Sequence, residues 1–271
     1  MKTRILAAAA LLPLLLVVIL VLPPVCTAVL VGLMAAIGAY ELLFGTGLVK
    51  QTRLIVYTAV MGLLVSLWSH FGMGYAPALL GILVFCSVLY AEVLLSHAKL
   101  PYGNITVSLA GGLLIPFLLS ALVRIRSGEN GQYFILLPFV LAFMSDTGAY
   151  FAGRFLGKHK LAPVISPNKT VEGVVGGVAA AILGMLLYCL ILNLAFDFRV
   201  NYLYAVLYGL LGSLAAVFGD LSFSAIKRQT GIKDYGNLIP GHGGILDRFD
   251  SMTIVAPLAE ALLLLLPVAV K

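Results

Sequence analysis

Apolar runs of about 20 residues, separated by short polar segments, follow one another along nearly the whole chain. A helix rising about 1.5 Å per residue crosses the roughly 30 Å hydrocarbon core of a bilayer in that length. Nine such segments can be drawn, at 5–22, 25–47, 54–70, 76–96, 104–123, 133–153, 171–196, 203–226 and 251–270. Spanning structures must satisfy their own backbone, so they are helices or closed barrels, and barrel strands alternate every second residue. These runs do not alternate. The expected fold class is all-α, a polytopic integral membrane protein with nine transmembrane helices in a single domain over 1–271. Composition closes off the alternatives. Hydrophobic residues make up 62% of the chain and charged ones 10%, where soluble domains carry about 25% charged residues and disordered chains are rich in charge.

The net charge of +6 sits in short loops between apolar runs, which fits membrane topology and argues against a nucleic-acid groove. With nine spans and the N-terminus inside, thirteen of the seventeen Lys and Arg residues fall on the cytoplasmic side. The other side holds Arg124, Arg126, Arg199 and Lys271. That asymmetry obeys the positive-inside rule and places the protein in the cytoplasmic membrane. Lys2 and Arg4 before the first run are read as the flank of an uncleaved helix. Cys26, Cys86 and Cys189 lie in apolar runs without metal-ligand spacing and read as small buried residues. Gly173, Gly176, Gly177, Gly184, Gly209 and Gly212 suit tight helix contacts inside one protomer, with a dimer seam as the alternative.

Chemistry-bearing residues concentrate in segments 145–173 and 220–250. Asp146 is a carboxylate within a spanning segment, which marks a functional site by default. The basic loop 153–173 holds Lys158, Lys160, Ser166, Asn168 and Lys169, and its Ser166–Thr170 stretch reads as a structured turn. Its Gly153–Lys158 part is too short for a P-loop, and the Asn-x-Thr triplets at Asn104 and Asn168 are chance matches. Asp220, Ser224, Lys227 and Arg228 share a helical face by their spacing. Lys233 follows, then Gly241, His242, Gly243 and Gly244, whose amides could approach an anion, then Arg248, with Asp247 and Asp250 expected one turn apart at the start of the ninth helix. Two carboxylates beside cations and a glycine turn suit Mg²⁺ together with substrate phosphates.

The run S-x-I-K-R-x4-K-D-x-G-x-L-I-P-G-H-G-G-I-x-D-R-F-D, from Ser224 to Asp250, resembles the signature of the phosphatidate cytidylyltransferases, also called CDP-diacylglycerol synthases. S-D-T-G-A-Y at Ser145–Tyr150 and S-P-N-K-T-x-E-G at Ser166–Gly173 are similar to that family's pattern too. The resemblance covers residues 145–250; the first four helices match only in being hydrophobic. It implies a membrane-embedded, divalent-metal-dependent homodimer that joins CTP to phosphatidate and releases pyrophosphate. It points to Asp220, Asp247 and Asp250 in the metal and catalytic region, with Ser224, Lys227, Arg228, Lys233 and His242 in the site.

On this reading a phosphate oxygen of phosphatidate attacks the α-phosphorus of CTP, and catalysis is mostly positioning and charge neutralisation. Mg²⁺ is expected on Asp247 and Asp220. Asp146 either holds a second cation or orients a basic residue. Lys227, Arg228, Lys233 and Lys169 take phosphate charge with help from Gly243 and Gly244, while Ser166, Asn168, Ser224 and Arg248 complete substrate binding. His242 either hydrogen-bonds a phosphate or moves a proton. The alternative is a transporter of an anionic substrate, which should instead place its charges at mid-bilayer on broken helices in repeated halves.

Overall fold

The computed structural model describes residues 9, 11–72, 74–239 and 243–271. Seven of its helices are long and apolar enough to cross a membrane: α1 (Pro24–Gly45), α2 (Thr52–Phe71), α3 (Tyr75–Leu95), α4 (Tyr102–Ser127), α5 (Gly131–Leu156), α6 (Val171–Phe196) and α7 (Tyr202–Gln229). Each coincides with an expected segment. The two outermost segments differ. Of the first, the described part is a short apolar helix at Leu11–Val21, while Lys2 and Arg4 lie outside the described residues. The last yields α8 (Met252–Leu265), of 14 residues. Pro267 disfavours helical backbone at the residue before it, and Leu266 leaves the helix at φ −138° and ψ 69°.

Two small antiparallel pairs interrupt the all-helical expectation. Strands β1 (Lys160–Ala162) and β2 (Ser166–Thr170) form a hairpin with a register shift, and β3 (Arg199–Val200) pairs with β4 (Ala269–Val270). The expected structured turn at Ser166–Thr170 is therefore a strand.

The chain forms two compact units, Met1–Ser127 with Gln229–Phe249, and Gly128–Arg228 with Asp250–Lys271. In the first unit, α4 carries Pro116, which lacks an N–H and crowds the preceding turn. A π-helical turn at Ala110–Leu114 lies just upstream. A second π-helical turn, Glu41–Gly45, ends α1. Such turns commonly mark functional positions.

In the second unit the glycines set how closely helices approach. A Cβ added at Gly177 would stand 2.8 Å from the Ser145 carbonyl oxygen, and one at Gly173 would stand 3.0 Å from the Ala149 carbonyl oxygen. A Cβ at Gly184 would meet Met144, and one at Gly212 would meet Leu141. All of these are contacts inside one protomer. Gly209 packs directly on the backbone of α6, with Ile182 Cα 2.5 Å and N 2.7 Å from an added Cβ. Gly209→Ala should therefore cost about 1–3 kcal/mol of stability by overpacking. Thermal unfolding in detergent checks this against Gly81→Ala, where the added methyl meets nothing within 4 Å.

Candidate active site

The second unit assembles a polar cluster from α7, the β1–β2 hairpin and the residues entering α8. On α7, the Ser224 hydroxyl donates to Asp220 Oδ1 at 3.1 Å, as a four-residue spacing on a helix allows. Lys169, on β2, places Nζ 2.6 Å from Asp220 Oδ2. Arg228 Nε donates to the Ile165 carbonyl at 3.2 Å, so the end of α7 holds the hairpin through two basic residues. The hairpin leads directly into α6, where Thr170 caps the helix by accepting the Gly173 amide at 3.1 Å. Glu172 in the first turn accepts the His159 ring at 2.6 Å and the amides of Lys158 and His159. This network accounts for the structured loop that a topology-setting basic run would not need.

Asp250 lies between α7 and α8 in chain order and is buried, as are Lys227 and Ser224. Its Oδ1 accepts the Ser251 amide at 2.7 Å. Burial and then the Asp220 carboxylate push Asp250 up to about 7, against the pull of the Ser251 amide and the Lys227 ammonium; Asp146 adds to the rise. Because the folded value exceeds the unfolded one, folding holds this proton. Stability from Asp250 is then complete below about pH 4 and is lost as pH rises through about 7. In chelator-treated protein, the unfolding temperature in detergent should fall from pH 5 to pH 8, and Asp250→Asn should flatten that slope.

In the first unit, the loop between α7 and the single turn Leu246–Phe249 folds around carboxylates. Asp247 Oδ2 accepts the Tyr235 amide at 2.8 Å and the Gly244 amide at 3.0 Å. The Ile239 amide donates to the Gly243 carbonyl at 3.0 Å, and Gly243 takes φ 84°, a left-handed backbone that glycine adopts without strain. Lys233 and Arg248 are exposed. His242, with Pro240 and Gly241, lies outside the described residues. The turn stops at Phe249, so Asp247 and Asp250 do not stand one turn apart on one helix as their spacing suggested.

A family model described as "Cytidylyltransferase family" matches residues 2–266. The chain belongs to the cytidylyltransferase family. Among curated relatives it is similar to proteins named phosphatidate cytidylyltransferase. That of Staphylococcus haemolyticus (strain JCSC1435) is 45% identical over 136 residues, 50% of this chain and 51% of the relative. That of Staphylococcus saprophyticus is 46% identical over 136 residues, with the same shares. That of Staphylococcus aureus (strain COL) is 45% identical over 139 residues, 50% and 51% of the two chains. The chain thus spans about half the length of the curated relatives it matches.

For this cytidylyltransferase-family chain, the structure brings together Lys169, Asp220, Ser224, Lys227, Arg228 and Asp250 within the second unit, with the charge of Asp146 felt at Asp250. Ser166 and Asn168 lie on β2, half-buried and exposed respectively. Gly244, expected to offer its amide to phosphate, donates it to Asp247. Among the described residues, no three His, Cys, Asp or Glu side chains gather closely enough to enclose a metal ion alone. Mg²⁺ commonly takes only one or two carboxylates and completes its shell with water and substrate phosphates. The Asp220–Asp250 pair fits that pattern, since the charge repulsion that favours a proton on Asp250 would equally favour a cation.

Sequence reasoning missed Glu41. It accepts the Ile245 amide at 3.0 Å and the Leu246 amide at 2.8 Å while buried at 3% exposure. A carboxylate inside an apolar run was the available signal, the same that singled out Asp146.

Proposed function

We propose that the chain transfers the cytidylyl group of CTP to phosphatidate, forming CDP-diacylglycerol and pyrophosphate for phospholipid synthesis. The observation that carries the reading is the cluster of Lys169, Lys227 and Arg228 around Asp220 and Asp250. It lies at the loop-proximal ends of membrane helices in a cytidylyltransferase-family chain. The names of the curated relatives supply the acceptor lipid. A transporter would concentrate charge at mid-bilayer on broken helices, whereas Lys227 and Arg228 occupy the last turn of α7 and Lys169 lies on a hairpin.

A phosphate oxygen of phosphatidate forms the new bond to the α-phosphorus as the bond to the β-phosphate oxygen breaks. No protein nucleophile is needed. The obstacle is two polyanions meeting, and basic side chains lower it by charge-assisted hydrogen bonds. Lys227, buried in the α7 face, can hold one phosphate with little reorganisation, and Arg228 and Lys169 keep the hairpin beside it. In the first unit, Lys233 and Arg248 are exposed cations at either end of the loop. Carboxylate donors for Mg²⁺ are available in each unit: Asp146, Asp220 and Asp250 in the second, Asp247 in the first. When bound, such a cation would neutralise triphosphate oxygens and steady the leaving pyrophosphate.

The proposed orientation puts the N-terminus, the hairpin and the 229–251 loop in the cytoplasm, supported by the Lys and Arg asymmetry. Ala162→Cys and Asn237→Cys should then react with an impermeant thiol reagent only from the cytoplasmic side, and Gly128→Cys only from the other. A homodimer is proposed from the resemblance alone and is checked by mass in detergent. The function itself is tested by pyrophosphate release from purified protein. Release should require CTP, phosphatidate and a divalent cation together, and CTP hydrolysis without lipid would oppose the reading.

A further inference from the structure

Glu41 begins the π-helical turn that ends α1, and it is the buried carboxylate to which the mechanism above assigns no task. Its two oxygens take the amides of Ile245 and Leu246, while Asp247 Oδ2 takes those of Tyr235 and Gly244. Four backbone donors of one loop therefore converge on two carboxylates. The glycines of the loop make this closure sterically possible. A Cβ added at Gly236 would stand 2.6 Å from Glu41 Oε1, and one at Gly244 would overlap the same carboxylate. Gly45, at the end of the π turn, likewise leaves room for the Tyr235 carbonyl. Bonds from amides to an ionised acceptor are roughly twice as strong as neutral ones. A buried carboxylate without them would be costly.

We propose that Glu41 is a positioning residue for cytidylyl transfer: its carboxylate is the template on which Tyr235, Gly236 and Gly244–Asp247 set, and it fixes how Lys233 and Arg248, at either end, meet the triphosphate. This rests on the function proposed above. Glu41→Gln keeps the size but offers one oxygen to two amides and turns an NH₂ toward the other. Glu41→Asp keeps the charge but falls short by one methylene.

The test measures kcat and the KM for CTP and for phosphatidate, together with the unfolding temperature in detergent. Both variants should stay folded but unfold a few degrees below the parent, because the amides of Ile245 and Leu246 lose part of their acceptor. Their KM for CTP should rise about tenfold and kcat/KM fall about 10²-fold, the size of a misplaced substrate contact, with the KM for phosphatidate unchanged. A residue that merely supported the fold would lower the amount of active protein and leave the KM for CTP alone, and that result overturns the proposal. If neither variant folds, Gly236→Ala retains the carboxylate and displaces it through the new Cβ; a parental KM for CTP there overturns the proposal equally. If the parent protein does not transfer cytidylyl at all, the function reading fails instead. Amide exchange then decides: Ile245 and Leu246 should exchange faster in Glu41→Gln, and unchanged exchange overturns the template role.

Discussion

Replacing Lys227 by methionine should lower turnover by about 10²-fold or more, comparable to removing one electrostatic contact with a transition state. Methionine keeps nearly the length and the apolar stem of lysine, so the packing of this 7%-exposed side chain is little changed. What disappears is the cation. Its loss removes a phosphate partner and also the charge that pulls Asp250 downward. The activity that survives should therefore show its acidic limb at higher pH than the parent. A variant with near-parental turnover at low CTP would make Lys227 a structural counter-ion for Asp250 and remove it from the site.

Asp247 is the second large effect, and the two substitutions there should behave differently. In Asp247→Asn the side-chain oxygen can still accept the Tyr235 and Gly244 amides, so the loop and the unfolding temperature should hold. Activity should nevertheless fall about 10²-fold if the negative charge serves a cation on the triphosphate. In Asp247→Ala both amides lose their acceptor in a buried setting, at about 1–3 kcal/mol each, and stability should fall along with activity. Turnover against Mg²⁺ concentration, beside thermal unfolding, separates the roles. A fully active Asp247→Asn protein would show that the residue only braces the loop and would move the cation to the Asp220–Asp250 pair alone.

Much of the membrane fold is legible in the sequence because its determinant is local and one-dimensional. A run of about 20 apolar residues spans a bilayer whatever its neighbours do. The expected last segment runs past the end of α8 because hydropathy does not register Leu266 turning out of the helix before Pro267 while the chain remains apolar. The β1–β2 hairpin escaped for the opposite reason. Its few backbone pairs are polar and short, and its stability comes from Lys169 and Arg228 reaching partners distant in sequence.

The candidate site divides along the same line. The α7 face of Asp220, Ser224 and Lys227 follows from helical spacing alone. Gly244 read as a phosphate-facing amide because its real partner, Asp247, is fixed only once the loop folds. Glu41 stands out only as a carboxylate in an apolar run; its task is hidden for a related reason, since its two bonds cross 204 and 205 residues of chain. Asp247 and Asp250 looked like neighbours on one helix, yet a break after Phe249 gives them separate tasks, one on loop amides and one beside Asp220.

Cytidylyl transfer requires that the α-phosphorus of CTP, and no other, pass to the lipid. Purified protein supplied with phosphatidate and Mg²⁺ should be given CTP labelled at the α-phosphorus or, separately, at the γ-phosphorus. α-Label should appear in the organic-extractable product and γ-label in pyrophosphate, in equal amounts. γ-Label in the lipid would signify a kinase, and label released only as free nucleotide would signify a hydrolase; either result rules out cytidylyl transfer to phosphatidate.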